Sequence, residues 1–140
     1  MTTNFEIIDN YAVLYEGYHI DLHNNFQLKS IHYDTQAQQV IIAFGQGKGE
    51  WIPQNELAEV ILICENTNYF YLSNSELSVY SEDSNTLVEI TFFPSSDRET
   101  NDCIIWGQQA PATDDDLLLS FQNEMIVRIG CSHVNCHITL

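Results

Sequence analysis

A chain of 140 residues points to one domain spanning residues 1–140. Its 4 Lys and Arg stand against 20 Asp and Glu, a formal net charge of -16. That balance excludes binding of nucleic acid through a basic surface and docking on an anionic membrane leaflet, both of which need clustered Lys and Arg. A hydrophobic share of 44% excludes a disordered acidic tail.

The first 25 residues admit two readings. Phe5, Ile8, Ala12 and Tyr15 fit one helical face, whereas Tyr18, Ile20 and Leu22 alternate as a strand does, with Asp9-Asn10 as a turn. From there on, short runs rich in Val, Ile, Tyr, Phe and Thr are separated by clusters of Asn, Asp, Ser, Gly and Gln, the pattern of many short strands. Phe26 to Tyr33 and Gln39 to Phe44 flank a polar loop and predict a hairpin. Ala58 to Cys64 with Tyr69 to Leu72 predict a second, and Glu76 to Tyr80 with Thr86 to Phe93 a third. Pro53 to Val60 has room for one helical turn, since Pro fits the first helical position. Cys103 to Trp106 reads as a short strand, Leu117 to Phe121 with Met125 to Cys131 as a fourth hairpin, and Val134 to Leu140 as a closing strand. The expected fold is mainly β: a single antiparallel sandwich or barrel of about 8–10 short strands, with room for one short N-terminal helix.

Met1 to Glu6 carries no basic residue and no following apolar block, so no secretory leader is expected. The apolar run Val60 to Cys64 is far too short to span a membrane. Three of the four cysteines lie in apolar strand-like runs, where a free Cys packs as a small hydrophobe. The expectation is a cytoplasmic chain with reduced thiols.

Four constellations invite a chemical reading. Cys131, His133, Cys136 and His137 are zinc-type ligands, but strand alternation sends Cys136 and His137 to opposite faces. His19, Asp21 and His23 share one strand face, yet the two imidazoles would stand about 13 Å apart, too far for one ion. Gly45-Gln46-Gly47-Lys48-Gly49 lacks the Ser or Thr and the helix start of a phosphate loop. Asp114-Asp115-Asp116 lacks the alternation of a calcium loop. No nucleophile elbow or HExxH motif is present. The expectation is therefore no enzyme, no cofactor and no metal.

The acids thicken in loops: Glu82 and Asp83; Asp97, Glu99 and Asp102; Asp114, Asp115 and Asp116. With Trp106 as an aromatic anchor, these are the expected partner-binding residues. Tyr80, Phe92 and Phe93 are further aromatic candidates near them. One negative surface built from them would steer a basic partner.

The acid-led closing segment, from Asp115-Asp116-Leu117-Leu118-Leu119 through Gln122-Asn123-Glu124 to Ile129-Gly130, resembles that of small bacterial immunity proteins that neutralise contact-dependent or secreted toxins. It departs from their pattern at the turn, where Asn123-Glu124 stands in place of a Gly. The resemblance implies a complex with a basic toxin domain from a neighbouring gene, a nuclease by preference, whose active site is occluded. The alternatives are a nucleic-acid mimic that blocks a defence nuclease, and a small β-barrel enzyme or ligand carrier using His19, His23, His32 and the tyrosines.

Overall fold

The computed structural model describes residues 1–47, 57–73, 85–99 and 109–140. Among these, twelve strands form three sheets. In chain order they are β1 (Thr2–Thr3), β2 (Glu6–Ile8), β3 (Ala12–Tyr15), β4 (Tyr18–Asp21), β5 (Phe26–Asp34), β6 (Gln39–Gln46), β7 (Glu59–Glu65), β8 (Tyr69–Leu72), β9 (Leu87–Pro94), β10 (Asp115–Phe121), β11 (Ile126–Gly130) and β12 (His133–Thr139). The sheets run β1-β12-β7-β6-β5, β8-β11-β10-β9 and β2-β3-β4. Every pairing is antiparallel except β1 with β12. Among the described residues no helix is long and apolar enough to cross a membrane.

The mainly β, sandwich-like architecture agrees with the sequence pattern; the strand count exceeds 8–10 because the first 25 residues are not helical. They form the three-stranded meander β2-β3-β4. Its turns explain why. Asp9 and Asn10 both take positive φ, 51° and 62°, and the Tyr11 N–H closes on the Ile8 carbonyl. Glu16 and Gly17 repeat the geometry at 48° and 83° between the paired Tyr15 and Tyr18. Two central left-handed residues give the turn whose twist matches a hairpin. The meander buries Ile7, Val13 and Ile20.

In the five-stranded sheet, β6 and β7 bury alternate residues: Val40, Ile42 and Phe44 on one, Val60, Leu62 and Cys64 on the other. Phe44 stacks on Phe121 of β10 at 6.5 Å between centroids, and Phe5 on Phe92 of β9 at 6.4 Å. These contacts draw the sheets onto one shared core.

The expected hairpins Phe26–Tyr33 with Gln39–Phe44 and Leu117–Phe121 with Met125–Cys131 form as β5-β6 and β10-β11. The pair expected from Ala58–Cys64 and Tyr69–Leu72 does not. β7 lies between β6 and β12, while β8 joins β11 in another sheet. Thr67 N–H bonds the Gln38 carbonyl and Asn68 N–H the Gly130 carbonyl, so the short connection carries the chain from one sheet to the next. Glu76–Tyr80, Cys103–Trp106 and the start of the Pro53 turn lie outside the described residues; Leu57 and Ala58 are not helical.

Candidate functional site: an acidic end held by two arginines

β10 opens on Asp115 and Asp116, two carboxylates entering an apolar strand. Across the ladder from Asp116, at the position continuing the register Leu117–Ile129, stands Gly130, and Arg128 lies one diagonal step away on the same face. Arg128 belongs to the run Ile126-Val127-Arg128-Ile129-Gly130 and is wholly buried, as is Asp116 at 1% exposure. Arg128 Nε donates to Asp116 Oδ2 at 2.8 Å. Its terminal nitrogens donate to the carbonyls of Pro94 and Asp97 at 2.7 and 3.2 Å.

Arg98 completes the arrangement from the loop after β9. Its Nε and Nη2 fork onto Asp116 Oδ2 and Oδ1, both at 2.8 Å, the bidentate geometry that makes Arg–carboxylate pairs strong. The hydrogen bonds to Asp116 raise the Arg98 pKa above its usual range, against the opposing effect of desolvation. Its guanidinium also lies 4.0 Å over the Tyr69 ring, and that of Arg128 5.2 Å from the Phe93 ring centroid. Gly130 is the floor of this network. A Cβ there would meet Arg98 Nη2 at 2.5 Å, Asn68 Oδ1 at 2.7 Å and Asp116 Oδ1 at 2.8 Å.

Above the network sits a single turn of 3-10 helix, Ser95–Asp97. Ser95 N–H bonds the Asp114 carbonyl at 3.0 Å, which sets the loop after β9 beside the start of β10. Asp97, Glu99 and Asp114 are all exposed at this end. The expected acidic triplet therefore splits. Asp114 faces solvent, but Asp115 is buried and accepts from the Ala112 N–H at 2.8 Å, and Asp116 is consumed by the two arginines. Neither inner aspartate offers a charge to a partner, a correction to the expectation that all three did. Phe92 and Phe93 are likewise core residues and not exposed anchors. Glu82, Asp83, Asp102, Trp106 and Tyr80 lie outside the described residues.

Sequence reading missed both arginines. The available signal was Arg128 itself, a lone cation inside an apolar strand, which demands a buried counter-charge. Two of the chain's four cationic side chains are thus spent on one internal carboxylate. Lys29, exposed at the register shift within β5, lays its stem across Gly45, and Gly45 and Gln46 are part of β6, not of a loop.

The other constellations disperse. Cys131 and Cys136 are buried while His133 and His137 are exposed, following strand alternation. Burial pushes the Cys136 thiol up to about 12, with the Glu16 carboxylate adding to it. Cys64 is also raised, chiefly by its hydrogen bond with Cys131. His19 points to solvent, Asp21 caps its own turn by accepting from the Asn24 backbone and side chain, and His23 bonds the Leu87 carbonyl. Among the described residues no group of three or more His, Cys, Asp or Glu is arranged to hold a metal ion.

Comparison with family models, with curated proteins and with solved structures finds no match to this chain.

Proposed function

We propose that this chain is a binding protein that seats a basic protein domain against its acidic end. We further propose that the domain is a toxin, a nuclease by preference, whose active site the complex occludes. The observation that supports this reading is the division of charge. Arg98 and Arg128 both close on the buried Asp116, while Asp97, Glu99 and Asp114 are exposed around them and outnumber the single positive charge that two arginines on one carboxylate leave over. An end with an excess of exposed carboxylates on a chain of net charge -16 steers a basic partner, and such steering carries association rates up to about 10⁸–10⁹ M⁻¹s⁻¹ at low salt. The likeness of the Asp115–Gly130 hairpin to immunity proteins points to the same class. In this reading the chain carries out no reaction of its own and works in the cytoplasm, with its thiols reduced.

Coexpression with the protein encoded by the neighbouring gene tests it. The expected result is relief of that protein's toxicity and a complex that survives purification at about 50 mM salt but loosens at about 500 mM, where screening is strong. Absence of both relief and complex overturns the toxin reading. A complex insensitive to salt and to D97K/E99K/D114K overturns the acidic end as its seat.

A further inference from the structure

Away from the acidic end, the edge strand β9 carries a bulge. Ser120 pairs with Glu89 and Phe121 with Leu87, so Val88 is the extra residue. Bulges re-aim side chains beside functional sites. Two turns clamp this stretch. The Asn10 carbonyl accepts from Ile90 N–H at 2.8 Å, and His23 Nδ1 lies 2.5 Å from the Leu87 carbonyl. Between them opens a cleft of about 400 Å³ lined by Asp9, Asn10, Tyr11, His23, Val88 and Glu89. That volume falls in the range of small-molecule sites, roughly 300–1,000 Å³.

The chemistry of the cleft is one-sided. Glu89 is only 6% exposed, and it lines the cleft with a carboxyl that burial makes costly to ionise. Directly across the ladder from Glu89, behind the cleft lining, the buried Ser120 hydroxyl lacks a hydrogen-bond partner. A carbonyl has no proton to give, so His23 Nδ1 is the donor in its bond to Leu87, which in the Nδ1–H tautomer makes Nε2 an acceptor. Glu89 and His23 therefore both ask for donors. An anion is disfavoured by the net charge of -16, and a purely apolar ligand would desolvate the Glu89 carboxylate further without offering it a donor. The described residues hold no metal-binding group of three.

We propose that this cleft binds a small primary ammonium ligand, its N–H groups on the Glu89 carboxylate and His23 Nε2 and its carbon stem against Val88 and Tyr11. The site is independent of the acidic end and stands whether or not a toxin partner exists.

Titration of the intact protein with n-butylammonium chloride at constant ionic strength, followed by amide and imidazole NMR shifts, tests it. The expected result is a saturable shift confined to Asn10, Tyr11, His23, Val88 and Glu89. Glu89→Gln should weaken it at least about tenfold, the loss of one charge-assisted contact, and tetramethylammonium, which has no N–H, should not compete. Val88→Trp fills the mouth and should abolish saturation while leaving the rest of the spectrum in place, so it decides the matter even if Glu89→Gln fails to fold. Unsaturable shifts spread over the acidic surface, or an affinity in Glu89→Gln or Val88→Trp equal to that of the parent, overturn the site. Saturation by an acetyl-Ala-Lys-Ala-amide peptide but not by butylammonium overturns the small-ligand form of the proposal.

Discussion

Arg128 Nε donates to Asp116 Oδ2 at 2.8 Å, with exposures of 0% and 1%, and the same oxygen accepts from Arg98 Nε. One carboxylate thus holds two guanidiniums, and its removal differs from the removal of either arginine. Asp116→Asn leaves both cations facing a neutral amide, the unpaired-charge case that costs about 3–5 kcal/mol. Arg128→Met leaves the Arg98 fork intact and removes hydrogen bonds worth about 1.5–3 kcal/mol. Urea unfolding should rank Asp116→Asn below Arg128→Met. The reverse order would mean that the carboxylate is not the centre of the network.

Gly130 is required by contact, since a Cβ would lie 2.5 Å from Arg98 Nη2. Gly130→Ala should cost about 1–3 kcal/mol, the range of overpacking. Asn68 Oδ1 and Asp116 Oδ1 crowd the same point, so deleting Arg98 relieves only part of the clash. A double-mutant cycle of Gly130→Ala with Arg98→Ala should therefore give a coupling of about 1 kcal/mol and a residual cost above zero. Strict additivity of the two would rule out their contact.

Much of the fold was legible because its hairpins are local. Asp34 accepts from the Gln36 and Ala37 N–H groups and closes the β5-β6 turn, so the polar loop read from sequence is the loop that forms. The separation of β7 and β8 into different sheets was not legible. Val60 to Cys64 is apolar at every position, a run that offers no clue to which strands flank it, and a four-residue loop suits a hairpin as well as a crossing. The acidic site was half legible for a related reason. Strand alternation tells which residues share a face but not what covers that face, and the cations that bury Asp116 come from positions 98 and 128. An aspartate next to two others looks like surface until those arginines are placed.

Exposed carboxylates in excess make stability depend on salt. Added salt screens their mutual repulsion, with a Debye length of about 10 Å at 0.1 M. The unfolding midpoint should rise as salt increases from about 10 to 200 mM. D97K/E99K/D114K should flatten that rise and change high-salt stability by no more than about 0.5 kcal/mol per site, because the three side chains are exposed. The same variant should slow association with a basic partner at least about tenfold at low salt. A flat salt profile in the parent protein would count against an uncompensated acidic surface.

The Cys136 thiol has a raised pKa of about 12 in the folded chain, against an ordinary 9.0, because burial disfavours its thiolate. The unfolded chain releases this proton first as pH climbs. The contribution is therefore whole below pH 9.0 and is lost between 9.0 and about 12. Its slope reaches about 1.4 kcal/mol per pH unit. Unfolding followed across that window should show the loss, and Cys136→Ala should flatten it at the cost of a constant cavity penalty. An unchanged alkaline slope in the variant would assign the loss to other groups.

Glu89 titrates with the same sign at the other end of the scale. Desolvation raises its pKa above the ordinary 4.5, so the folded chain holds this proton more tightly than the unfolded one. Its contribution is whole below pH 4.5 and disappears as pH rises through the folded value. Glu89→Gln keeps the shape and never carries the charge. It should therefore be more stable than the parent at pH 7, and the difference should shrink as pH falls toward 4 and below. A saturating primary ammonium ligand should stabilise the parent at pH 7 and leave the variant unmoved, because only the parent has a carboxylate to pair. A variant less stable than the parent at pH 7 would mean that Glu89 already has a partner in the fold, and the cleft would lose its reason to recruit a cation.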